Sequence, residues 1–225
     1  MAGDAGFSDQ TFRFLRELAD HNEKPWFEAN KARFLEHVQA PSLAFVRAVG
    51  PSLLGLSRHL KVDDRPVGGS VMRIYRDIRF AKDKRPYKTA VGIRFSNLDC
   101  PADEPFPGFF LHVAPGESTL HSGAWFLEGP MLQRMRQAIA KRATEWSRVR
   151  TAVGGVDGEA LRRPPAGFAA DHPHIEDLKR KGFYASVEFT DAQVVRPDFA
   201  KRFVAACEQV DPLNRFLARA TGVPY

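Results

Sequence analysis

Between Arg73 and Lys88 the chain reads Arg-Ile-Tyr-Arg-Asp-Ile-Arg-Phe-Ala-Lys-Asp-Lys-Arg-Pro-Tyr-Lys, with seven cations and two carboxylates. This stretch carries +5 of the formal +6 of the whole chain, so the remainder is close to neutral. Cations packed this densely repel one another unless they face water, pair with carboxylates or converge on an anion. Arginine grips two oxygens of a phosphate or carboxylate in a fork, and lysine adds a movable point charge. Arg73, Arg76, Arg79, Lys84 and Lys88 are therefore candidate ligand-binding residues for an anionic, phosphate-bearing or polycarboxylate small molecule. Asp77, as a base or as a group that orients an arginine, and Tyr87, as a hydrogen-bond donor, are the candidate catalytic residues. The alternative is a structural network in which Asp77 and Asp83 pin Arg73, Arg79 and Lys84. Asp77 neutralises one neighbour at most, so pairing inside the segment leaves most of the cations uncompensated. Tyr75, Phe80 and Tyr87 also interleave with the cations as stacking platforms do, which makes a nucleic-acid-binding module the runner-up. A basic loop that docks on an acidic protein partner is a third reading.

Arg73, Arg76, Asp77, Arg79, Phe80, Asp83, Lys84 and Tyr87 fit the pattern R-x-x-R-D-x-R-F-x-x-[DN]-K-x-x-Y. That pattern resembles the signature of the DUF2461 family. Asn22 to Lys31 and Arg163 to Lys181 are similar to the same family, so the resemblance runs over nearly the whole chain. His21 departs from it, standing where a second asparagine is expected. The resemblance implies a fold more than an activity.

Other chemistry has weaker support. His112 and His121 lie on two predicted strands around Pro115-Gly116-Glu117, and a Gly116-Glu117 turn would place the two imidazoles opposite each other, about 5 Å apart at Cβ. They are possible additional site residues. Asp171-His172-Pro173-His174 holds a second histidine pair. Neither pair has a full ligand set at diagnostic spacing, so no metal is assigned, and no cofactor is implied. Gly68-Gly69-Ser70 lacks the frame of a phosphate loop, and there is no G-x-S-x-G elbow. Cys100 and Cys207 stand far apart with no C-x-x-C spacing, which argues against a disulfide framework or a thiolate zinc site.

These residues need a scaffold, and 225 residues with 44% hydrophobic content suffice for one substantial core. The expected architecture is α+β, one domain over 1–225: an antiparallel sheet covered by N-terminal and C-terminal helices. A helical third covers 7–60, a sheet-rich centre 70–126, and helices with a further strand 130–220. Ser8 caps a first helix ending near Asn22, Pro25 opens a second and Pro41 a third, with a break at Pro51. Val71 to Arg76 reads as a strand leading into a charged loop, and Lys88 to Ser96 as its return with Val91, Ile93 and Phe95 inward. Phe109–Ala114 and Ser118–Trp125 form the hairpin, with Leu111, Val113, Leu120 and Ala124 on one face. Phe110, His112, His121 and Trp125 share the other. Leu132 to Arg150 reads as one helix, Gly182 to Phe189 as a strand, and Pro197 to Leu217 as a helix interrupted at Asp211-Pro212. The acidic start, Met1 to Asp9, has neither the basic region nor the apolar run of an export segment, which predicts a cytoplasmic chain with no membrane partner. Nothing in the pattern selects an oligomeric state.

Overall fold

The computed structural model describes residues 6–100 and 106–225. Met1 to Ala5, on which the expectation about export partly rests, lie outside the described residues. The architecture is α+β. Helix α1 (Asp9–Asp20) is followed by α2 (Lys24–Ala29), α3 (Lys31–Phe34), a π-helical turn (Leu35–Gln39) and α4 (Ala40–Leu56). Strands β1 (Val91–Phe95), β2 (Phe109–Val113) and β3 (Ser118–Ala124) come next, then α5 (Gly129–Lys141), α6 (Ala143–Ala152) and α7 (Ile175–Leu178). Strand β4 (Phe183–Phe189), α8 (Asp191–Val194) and α9 (Phe199–Thr221) complete the order. The sheet is antiparallel throughout, in the order β1-β2-β3-β4.

Alternation decides which face is covered. Val91, Ile93, Phe95, Phe109, Leu111, Val113, Leu120, Ser122, Ala124, Phe183 and Ala185 are buried, and the strand residues that alternate with them are part-exposed or exposed. The buried face packs against α9 and α4, where Phe203 meets Phe95 at 6.0 Å and Phe45 at 5.2 Å between ring centroids. No described helix is long and apolar enough to cross a membrane.

Two expected helix breaks are missing, and one that was not expected is present. Pro51 and Pro212 lie inside α4 and α9 and end neither helix. A proline in a helix interior costs about 3 kcal/mol, while each fully buried Phe or Leu contributes about 1.5–3 kcal/mol. Leu53 behind Pro51, and Leu213, Phe216 and Leu217 behind Pro212, are fully buried, so packing outweighs the proline. The helix read from Leu132 to Arg150 instead divides at Arg142, which takes non-helical φ/ψ. The bend lets α6 bury Trp146, which lies 5.0 Å from the Phe216 ring and 6.1 Å from that of Phe183.

The segment Val71 to Arg76 is not a continuous strand. It touches its neighbours through isolated bridges, Val71 with Ile93 and Tyr75 with Tyr87. The hairpin turn is centred on Pro115-Gly116 rather than Gly116-Glu117: Glu117 N–H donates to the Ala114 carbonyl at 3.1 Å, and Gly116 has φ +74°. Proline before a residue with positive φ is the type II combination, which only glycine adopts cheaply. Moving the turn back by one residue shifts the pairing but keeps the faces. His121 therefore stands opposite Phe110, and His112 opposite Thr119. The two histidines are diagonal neighbours, not the facing pair expected.

Candidate functional site

The charged segment folds as a loop closed at its neck. Arg76 N–H donates to the Pro86 carbonyl and Lys88 N–H to that of Ile74, both at 2.8 Å. Inside the loop, Asp83 accepts from the Arg85 guanidinium and backbone N–H and from Arg76 Nη1 at 2.8 Å. Arg85 first, and then Arg76, hold its carboxyl far below the usual carboxylate range. Arg76 also donates to the Arg85 carbonyl. Asp77 takes the Arg79 fork at 3.0 and 2.7 Å, and Arg79 lowers its pKa. Lys84 Nζ donates to the Ile78 carbonyl. Arg76, Arg79 and Lys84 thus all bond within the loop, and Asp77 orients one guanidinium.

The loop is tied to the helices through Tyr87. Asn22 clasps both its backbone groups: Nδ2 donates to the Tyr87 carbonyl, and Oδ1 accepts from its N–H, each at 3.0 Å. The Tyr87 ring is 2% exposed and stacks on Phe27 at 4.2 Å. Burial pushes its hydroxyl up in pKa, so it is a weak proton donor. Asn22 lies outside the charged motif. Its signal was its place at the head of the second family-like block, where it precedes Phe27 by five residues.

The third such block has an anchoring role of a different kind. Asp177, 2% exposed, accepts from Trp146 Nε1 at 2.8 Å and from Arg150 at 3.1 Å, with Arg180 at 3.5 Å. His174 N–H donates to His172 Nδ1, which engages that pair within its own loop. Among the described residues no group of three or more His, Cys, Asp or Glu could hold a metal.

Lys88 is more buried than the loop cations Arg79 and Lys84, and its environment differs. It donates to the Arg73 carbonyl at 3.1 Å, and its pKa is lowered by burial and then by the nearby charges of Arg73 and Arg94. Arg73 and Arg94 thus lie near enough to Lys88 for their charges to act on it. Arg73 lines a cavity of about 150 Å³ between this segment and the π-helical turn. Arg94 lines a cavity of about 410 Å³ on the open face of the sheet, and Met72 borders both. Asp77 and Tyr87 line neither cavity.

The larger cavity is walled by aromatic rings. Trp125 stacks on Tyr184 at 4.3 Å, and His121 lies edge-on to both, at 5.7 and 6.1 Å. His121 Nδ1 is 2.8 Å from Ser186 Oγ. Gly123, with φ +113°, forms part of the lining; a Cβ there would meet the Phe183 carbonyl at 2.3 Å. His121 lines this cavity and His112 does not.

Burial lowers the pKa of both histidines, and the charge of His112 lowers that of His121 further. A base that holds its proton less tightly when folded favours the folded state above its unfolded pKa, and that contribution is lost as pH falls toward the folded value. The melting temperature should therefore fall as pH drops below about 6.5, above the range where carboxylates titrate. A double His112→Gln, His121→Gln variant should flatten the decline. A wild-type profile flat from about pH 7.5 to 5 would contradict this assignment.

The family model described as conserved hypothetical protein (DUF2461) matches residues 10–216. No curated protein and no solved structure matches the chain.

Proposed function

The chain belongs to the DUF2461 family, and from the geometry of its loop and sheet we propose that it binds an anionic, phosphate-bearing small molecule at the outer margin of β1. The observation that carries this is the setting of Lys88, an ammonium bonded to the Arg73 carbonyl at 3.1 Å, whose pKa is pulled down first by burial and then by the charges of Arg73 and Arg94. A buried ammonium beside two guanidiniums is stabilised in its charged form by an anion bound against it. In this reading Lys88, Arg73 and Arg94 take the anion. Arg76, Asp77, Arg79, Asp83 and Lys84 hold the loop that presents Lys88, and Tyr87 anchors that loop to the helical part.

The nucleic-acid alternative has less support. Tyr87, one of its three stacking candidates, is spent in the core, and Tyr75 packs edgewise on Phe27 at 6.2 Å. Phe80, 95% exposed with the Arg79 guanidinium 6.0 Å from its ring, and Tyr75, 47% exposed, keep surface suited to that role or to an acidic protein partner.

Calorimetric titration with inorganic phosphate tests the proposal. Lys88→Met should weaken binding about tenfold or more, since a hydrogen bond to a charged group contributes about 1.5–3 kcal/mol and about 1.4 kcal/mol is tenfold. Its melting temperature should stay equal or rise, because a partly buried charge is removed. Undiminished phosphate affinity would overturn the site. Tight binding of a short single strand that falls steeply with salt would favour the nucleic-acid reading instead.

A further inference from the structure

We propose that the cavity on the open face of the sheet seats a planar aromatic ring, so that the ligand is an aromatic phosphate, of the kind of an aryl phosphate or a nucleoside monophosphate. The charged end of this ligand rests on the anion site proposed above; the ring seat stands on separate observations. Sheet register sets out one transverse row across the open face: Arg94 pairs with Phe110, Phe110 with His121, and His121 with Ser186. Strands are spaced about 4.8 Å apart, which puts the arginine and histidine backbones about 10 Å from each other. A ring joined to a phosphate through a short linker spans that distance.

The aromatic end of this row is built beyond the needs of a solvated strand. Trp125 is 65% exposed, and Phe126 beside it 45%. One face of the Trp125 ring is already set against Tyr184, with the planes 17° apart. This leaves a rigid indole surface beside a space of about 410 Å³, a size suited to a small ligand. Aromatic rings stack on such surfaces whatever their substituents, because every ring offers a π face. His121 is held by Ser186 on one nitrogen and stacks near-parallel to Phe110, 14° apart, so its orientation is fixed. The cationic margin at Lys88, Arg73 and Arg94 supplies charge complementarity at the opposite end, and so selects an anionic ring compound over a neutral one.

Titrations with phenyl phosphate, adenosine monophosphate, glycerol phosphate and adenosine separate the two halves. For the wild type, at least one of the two aromatic phosphates should bind about tenfold more tightly than glycerol phosphate, the size expected of one added ring contact. Trp125→Leu, which keeps apolar bulk and removes the π face, should erase that preference and leave the affinity for glycerol phosphate intact. Lys88→Met should weaken all three phosphates alike. Equal affinity for all three phosphates in the wild type would overturn the ring seat while leaving the anion site standing. Adenosine bound as tightly as its monophosphate would leave the ring seat and overturn the anion site. A preference that survives Trp125→Leu would overturn the placement of the ring in this cavity, and no binding of any phosphate would overturn both.

Discussion

Phe27→Ala should destabilise the protein by about 3–5 kcal/mol, the usual cost of removing a buried phenyl ring. Phe27 is 1% exposed and is shared by two parts of the molecule: its ring stacks on Tyr87 at 4.2 Å and lies 5.4 Å from that of Phe34. Truncation leaves a void on the helical side and removes the support under Tyr87. The neck formed by Tyr75 and Tyr87 then loses its anchor, and the loop above it should open more often. Urea unfolding measures the first effect, and the rate of tryptic cleavage between Arg79 and Arg85 the second. A loss below about 1 kcal/mol with unchanged cleavage would mean that the loop is held by its internal ion pairs alone.

The second large effect is expected at Asn22. Asn22→Leu keeps the size of the side chain and strips Tyr87 of partners for both its backbone groups. Each buried polar group left unpaired costs about 1–3 kcal/mol, and with partial access to water the pair should cost about 2–4 kcal/mol. Asn22→Asp retains the acceptor at 3.0 Å for the Tyr87 N–H but loses the donor to its carbonyl, so it should fall between wild type and Asn22→Leu. Thermal or urea melts of the three proteins give the order directly. A melt of Asn22→Leu equal to that of the wild type would show that water replaces the clasp at no cost.

The faces of the sheet were legible in the sequence because strand alternation has a period of two. Val91, Ile93 and Phe95 were read inward, and Phe110, His121 and Trp125 outward, as the structure has them. The same alternation leaves Arg94 and Tyr184 on the outer face, but what gathers them around one cavity is strand order. The pairing of β3 with β4 spans about sixty residues of sequence and leaves no local signal. The observed register differs from the expected one by one step in the turn, because Pro115-Gly116 and Gly116-Glu117 both offer a glycine position that a tight turn can use. Pro51 and Pro212 do not end their helices, since local propensity says nothing of the packing behind them. The charged loop shows the limit most plainly. Its composition announced either a site or a network, and only the fold divides it into braced residues around Asp77 and Asp83 and the partly buried Lys88. Asn22 was readable only as part of a family-like block, because a side chain that clasps a backbone 65 residues away follows no spacing rule.

The most direct test of the anion site is an NMR titration of the Lys88 ammonium with and without saturating phosphate. Without phosphate, Lys88 should lose its proton below the ordinary lysine value of 10.5, through burial and the charges of Arg73 and Arg94. A phosphate bound against it favours the charged form, so its pKa should rise when phosphate is present. An unchanged Lys88 titration at phosphate concentrations that saturate binding elsewhere on the protein would contradict the account.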